Sequence, residues 1–326
     1  MLNKLEKLLP RHRNSNLKCT SNVEMFRSLI FVPSNSRRFI DKAKTLNADI
    51  ICFDLEDSVP INEKAAARQI IIETLKRRAE YKTNVYIRIN SSDSGMALSD
   101  LKEIIQNGVD GIVIPKVNDE NEVVDVIKFI SVLEDERGIE KDSIKLMPSI
   151  ETAKGVVNAY SIAKANKRIN AIIFGVFDFL YDMGLDYTEN DGIEYMFARE
   201  KIPVDAKAAG VAAIDAIWQK VDDTNGLIKD ATVAKRLGYS GKSIIHPSQI
   251  EPVHKVFIPT KNEIEWAKKV IGALGQTIER GSGKGAVKLE GKMIDAVHYK
   301  QAKAILDLTS SDLDNIQPIN DDNIVK

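Results

Sequence analysis

Eight short runs of β-forming residues, each followed by a stretch able to form a helix, constrain this chain more than any other feature. The runs lie at residues 27–33, 49–54, 84–90, 110–115, 144–150, 170–175, 211–217 and 242–246. Several are almost continuously apolar, as from Asp49 to Asp54 and from Asn170 to Gly175. That is the pattern of parallel strands covered on both faces. Helical segments fill the gaps: residues 62–80 from an Asn62 cap, 99–107 from Ser99 to a stop at Gly108, 191–209 before Gly210, and 225–237 before Gly238. Repetition of this unit predicts an α/β fold, a (β/α)8 TIM barrel. An open doubly wound sheet is the alternative, but no dinucleotide-binding glycine fingerprint follows a run.

The pattern changes after Pro247. A helix is expected from Asn262 to Leu274, a flexible loop at Gly281 to Gly285, a short strand from Ala286 to Leu289 and a turn at Gly291 to Met293. A last helix is expected from Ile294 to Leu308, then a polar, frayed end over 310–326. This gives a mostly helical C-terminal extension. At the other end, Leu2, Leu5, Leu8 and Leu9 suggest a short amphipathic helix stopped by Pro10. That arm has no secretory core; a solvated or docked segment is expected, with a mitochondrial presequence as the alternative. The domain division is 1–25 arm, 26–250 barrel and 251–326 extension or lid. With 46 Lys and Arg against 47 Asp and Glu, the net charge of -1 gives no footprint for nucleic acid. No apolar stretch is long enough for a membrane span. Cys19 and Cys52 are too few for a disulfide scaffold, and Cys52 reads as a reduced core thiol.

In a barrel of this kind, chemistry gathers at the C-terminal strand ends. Those ends carry Asp54-Leu-Glu56-Asp57, Arg88, Asn90, Lys116, Glu151, Asp178 and His246. Glu151 and Asp178 follow adjacent strands and could share a cation. Oxygen ligands without a Cys/His cluster favour Mg2+, with Mn2+ as the alternative. Arg88, between Ile87 and Ile89, needs an anionic partner: a substrate carboxylate or oxyanion, or a structural bridge to Glu56 or Asp57. Glu56 and Asp57 could instead hold metal-bound waters. Ser34, Arg37 and Arg38 follow the first strand, where a phosphate could be received. His246 before Pro247 is expected to shape a turn. Gly241-Lys242-Ser243 is not a P-loop, because its strand follows the motif and Arg236 stands where the first glycine belongs.

These segments, taken in order, resemble the citrate lyase beta-subunit-like enzymes, the group containing malyl-CoA and citramalyl-CoA lyases. The matching stretches are 27–33, 53–57, 87–90, 111–116, 150–152, 174–178 and 245–250, with 283–295 in the tail. The resemblance implies Glu151 and Asp178 as Mg2+ ligands, Arg88 as the clamp on the enolate oxygen, and Glu56 and Asp57 as holders of water. It also implies that Asp295, on a lid hinged by the glycines before it, acts as the base. Asp295 would often act across a subunit boundary of a homo-oligomer, a trimer or hexamer. Coenzyme A would be part of the substrate, met by Ser34, Arg37 and Arg38, and a small 2-oxo acid would be the other partner. The reaction implied is Claisen-type cleavage of malyl-CoA or citramalyl-CoA to acetyl-CoA plus glyoxylate or pyruvate, in the cytoplasm or a mitochondrial matrix. The alternatives are a citrate lyase beta subunit, a malyl-CoA thioesterase, a 2-oxo-acid aldolase and a non-catalytic binding protein. Ser34, where relatives often have glycine, and Phe177, where many have an acid, could shift acyl preference.

Overall fold

The computed structural model describes residues 26–188, 192–279 and 286–312. The expected N-terminal helix with Cys19, the Gly281–Gly285 loop and the chain beyond 312 lie outside them. Eight parallel strands close into a barrel in sequence order: β1 Ser28–Pro33, β2 Ile50–Asp54, β3 Asn84–Arg88, β4 Gly111–Ile114, β5 Lys145–Ile150, β6 Ala171–Phe174, β7 Ala212–Asp215 and β8 Gly241–Ile244. The expected (β/α)8 architecture is present, including the seventh strand. Outside it run α1 Arg37–Ala43, α2 Lys64–Leu75, α3 Ala97–Ile104, α4 Glu120–Arg137, α5 Ala153–Val157, α6 Ala159–Lys164, α7 Val176–Met183, α8 Ile193–Ala209, α9 Thr224–Leu237 and α10 Ile250–Phe257. The helix of the eighth unit, α10, therefore extends past residue 250. Asn62 does not cap α2; it lies in a 3-10 turn over Ile61–Glu63 that precedes the helix.

Strand alternation separates two apolar layers. Leu29, Ile50, Cys52, Tyr86, Val113, Met147, Ile173 and Ile214 fill the lumen. Ile30, Ile51, Phe53, Val85, Ile87, Ile112 and Ile172 pack under the helices. The same parity carries the lumen face upward from Cys52 to Asp54 and from Tyr86 to Arg88, so the top of the barrel turns from apolar to charged. Cys52 is buried in the lumen, and burial pushes its thiol pKa up, as for a reduced core cysteine. Among the described residues no helix is long and apolar enough to cross a membrane.

The C-terminal unit comprises α11 Lys261–Glu279, β9 Ala286–Leu289, β10 Lys292–Asp295 and α12 Ala296–Asp312. The expected turn and helix start at 291–295 are replaced by a hairpin. Glu290 and Gly291 both take positive φ (47° and 84°), the geometry of a two-residue turn whose twist suits antiparallel strands. Ala267, Val270, Leu274, Ile294 and Ala302 form this unit's own core. Since Ile294 faces inward, Met293 and Asp295 face the other way, and Met293 is 74% exposed. Lys235 of α9 pairs with Glu263 of α11 at 3.3 Å.

Candidate active site

Arg88 ends β3 beside Asp54 at the end of β2, the two being register partners. Its Nε and Nη2 donate to the two Asp54 carboxylate oxygens, both at 2.7 Å, and its Nη1 lies 3.2 Å from Glu56 Oε2. The guanidinium carbon stands 4.5 Å from the centre of the Phe31 ring. Burial alone would raise the Asp54 pKa, but the guanidinium outweighs it and holds the carboxyl below its ordinary value. Arg88 is thus not an open clamp. One edge is locked by Asp54, a residue whose role was overlooked in the sequence, and Nη1, outside that bidentate pair, faces Glu56, the bridge given above as the alternative for Arg88.

Glu151 follows β5 and is buried, with Oε2 lacking a hydrogen-bond partner. Desolvation, then the charges of Glu56 and Asp178, pushes its pKa up to about 8, although Ser149 and Arg88 pull it down. It fits only because residue 175 is glycine: a Cβ there would come 2.5 Å from the Glu151 Cγ. Gly175 also leads into α7, whose first turn holds Asp178, where a helix N-terminus favours negative charge.

Lys116, just past β4, joins these acids. Its Nζ lies 2.9 Å from Glu56 Oε1, 3.2 Å from Asp178 Oδ1 and 3.5 Å from Asp57. Burial opposes its charge, but Glu56 outweighs that and raises its pKa. Glu56 itself is raised, by burial first, against the pull of Arg88. The loop carrying Glu56 is fixed from beneath by buried Lys64, which donates to the carbonyls of Leu55 (2.8 Å) and Glu56 (2.9 Å) and to Asn90 Oδ1. Asn90 in turn donates to Asp100 at 2.7 Å.

A divalent cation suits these side chains. Among the described residues no group of three or more His, Cys, Asp or Glu is arranged to hold a metal. Magnesium, however, needs only one or two protein carboxylates and fills the rest of its octahedron with water and substrate oxygens. Glu151, with its buried unpartnered oxygen, and Asp178 are the two that would supply them.

Other expected residues lie elsewhere. Ser34 is buried with its hydroxyl unpartnered, and its N–H donates to the Asp54 carbonyl, one residue past the Pro33–Asp54 register pair at the strand ends. Arg37 does not converge with it, since α1 turns that side chain onto Glu73 of α2 at 2.7 Å. Arg38 is exposed on the same helix. Asp295 is held by its own unit: Oδ1 accepts from the Val297 N–H at 3.0 Å and lies 2.8 Å from His298 Nδ1. Phe177 packs at a tilt against Tyr187, ring centres 5.1 Å apart. His246 caps the 3-10 turn that follows it, and buried Lys242 pairs with Asp215 at 2.7 Å and with Asp230. His246 shapes the turn, as expected.

A charged barrel mouth with carboxylates, an anchored arginine and a buried carboxyl marks the class of TIM-barrel enzymes, whose chemistry sits at this end of the barrel. The comparisons narrow it. The HpcH/HpaI aldolase/citrate lyase family profile matches residues 27–247, and the chain belongs to that family. It is 35% identical to citrate lyase subunit beta of Haemophilus influenzae over 89% of this chain and 98% of that protein. It is 34% identical to the mitochondrial citramalyl-CoA lyase of Rattus norvegicus over 87% and 86%. Among solved structures, CitE of Mycobacterium tuberculosis, in complex with magnesium, acetoacetate and coenzyme A, aligns with a TM-score of 0.72 and 26% identity, covering 89% of this chain and all of that one. By family the chain is a carbon–carbon lyase.

Proposed function

We propose that this chain is a Mg2+-dependent CoA-ester lyase that breaks and forms the central carbon–carbon bond of malyl-CoA or citramalyl-CoA, with acetyl-CoA and glyoxylate or pyruvate on the other side. The observation that carries the reading is the buried, unpartnered Glu151 oxygen next to Asp178 and an anchored Arg88. Magnesium held by Glu151 and Asp178 would supply Lewis-acid polarisation of the hydroxy-acid or oxo-acid oxygens. Arg88, fixed by Asp54, offers Nη1 to the thioester oxygen, which takes up negative charge as the acetyl fragment leaves as an enolate. Glu56 and Asp57 accept hydrogen bonds from water at the mouth. Asp295, engaged through Oδ1 and 43% exposed, exchanges a proton with the acetyl carbon, taking it in the condensation direction.

Asp295 acts across a subunit boundary in this reading, in a trimer or hexamer. Exposed Val157, Tyr181, Phe197 and Val204 on neighbouring α5, α7 and α8 support self-association. The test is condensation of acetyl-CoA with glyoxylate and with pyruvate, with and without Mg2+, and cleavage of the products. The identity to citrate lyase subunit beta favours a second reading, cleavage of a citryl thioester. Failure with both CoA pairs, together with oxaloacetate release from a carrier-bound citryl thioester, selects it.

A further inference from the structure

Lys116 has no part in the reaction as set out above, yet it occupies the centre of the acidic cluster. Its single ammonium contacts carboxylates from two elements: Glu56 and Asp57 on the loop after β2, and Asp178 on α7. The backbone is bent to put it there. Lys116 takes φ +54°, the left-handed region that disfavours any residue with a Cβ. Asn118 holds that bend by donating from Nδ2 to the Lys116 carbonyl at 3.1 Å, and the Val117 N–H donates to Ser149 on β5 at 3.1 Å. Strain kept by surrounding bonds at a charged mouth marks a side chain whose placement matters.

We propose that Lys116 is a resident counter-cation that competes with the divalent ion for Asp178. This rests on the reading of Glu151 and Asp178 as the metal ligands. In the metal-free chain the ammonium neutralises Asp178. When the ion binds, Asp178 must leave the ammonium, which stays on Glu56. Two positive charges then stand close together in a partly buried site, where they repel far more strongly than in water. Lys116 therefore weakens metal binding while ordering the empty mouth, and a merely structural lysine would not do so.

The test is calorimetric titration of the EDTA-stripped, dialysed protein with Mg2+, and paramagnetic titration with Mn2+, both without substrate. K116M and K116G are expected to lower the metal Kd by about tenfold or more, from lost repulsion and a freed Asp178. K116G also relieves the positive φ, so it keeps the test open if K116M does not fold. K116R, which keeps the charge, is expected to stay within about threefold of the unaltered protein. An unchanged or weaker affinity in the folded K116M or K116G variant overturns the proposal. E151Q is titrated in parallel: if it binds metal as well as the unaltered chain, the metal assignment itself is wrong. If E151Q loses binding while K116M and K116G do not gain it, only the competition is wrong.

Discussion

Replacing Glu151 with glutamine should stabilise the metal-free protein at alkaline pH while removing its metal. The carboxyl is buried, and desolvation together with the Glu56 and Asp178 charges lifts its pKa from 4.5 to about 8. An unfolded chain loses that proton near 4.5 and the folded chain keeps it to about 8, so unfolding releases a proton throughout this interval. Raising the pH therefore favours unfolding, by about 1.4 kcal/mol per pH unit. The accumulated cost at pH 8 is about 5 kcal/mol, of which about 2 kcal/mol falls between pH 6.5 and 8. Glutamine cannot ionise and should show no such slope. The assay is urea denaturation in EDTA at pH 6.5, 7.2 and 8 for both proteins. Saturating Mg2+ should stabilise the unaltered protein, more at pH 8 than at 6.5, and leave E151Q where it was. Parallel pH profiles, or an E151Q protein less stable at pH 8, would refute the argument.

D54N should leave Arg88 without its paired carboxylate, putting an NH2 donor against one of its two donors, and cost about 3 kcal/mol of stability, read by chemical denaturation, with kcat falling because the guanidinium is no longer oriented. K64M removes the ammonium that ties two carbonyls and Asn90 together; a loss of about 2 kcal/mol is expected, with a lower kcat as the Glu56 loop loosens. His254, whose ring lies 2.6 Å from the Ser28 hydroxyl, has its pKa pushed down to about 4, by burial first and then by Arg27, despite Asp49. The unfolded chain takes up that proton as pH falls below about 6.5, so on the order of 3 kcal/mol is lost between pH 6.5 and 4. H254Q should lack that share of the acid slope in a pH series of melts.

The barrel was legible because its signal is repetitive: each of the eight apolar runs became a strand, including Val211 to Ile217, where β7 occupies only Ala212–Asp215. Glu151 and Asp178 were legible as positions because they follow strands. Asp54 was placed at the rim but its pairing with Arg88 was overlooked, although the alternation from Ile50 through Cys52 puts it in the lumen beside Arg88; applying the two-residue period to both strands would have paired them. Lys116 left a weaker trace, since nothing in Pro115-Lys116-Val117 announces a positive φ; that bend depends on Asn118 and β5, which are tertiary neighbours. The pairing of Arg37 with Glu73 left no trace in the sequence, because Glu73 comes from α2, a tertiary neighbour. The first strand of the β9–β10 hairpin was expected over Ala286–Leu289, but its return strand was missed because Glu-Gly is a poor turn signal beside Asn-Gly.

The tail's separate core gives the enzyme two independently tunable parts. Ile294 anchors the strand that presents Asp295, and its packing partners are Ala267, Val270, Leu274 and Ala302, none of them in the barrel. Loosening that small cluster would blur the delivery of one carboxylate while leaving the charge pattern of the mouth intact. The fault would appear as slowed turnover with unaltered cation affinity. Damage to the lumen layer under Asp54 and Arg88 would instead disturb the charge pattern of the mouth itself, and sequence drift could reshape either part without remaking the other.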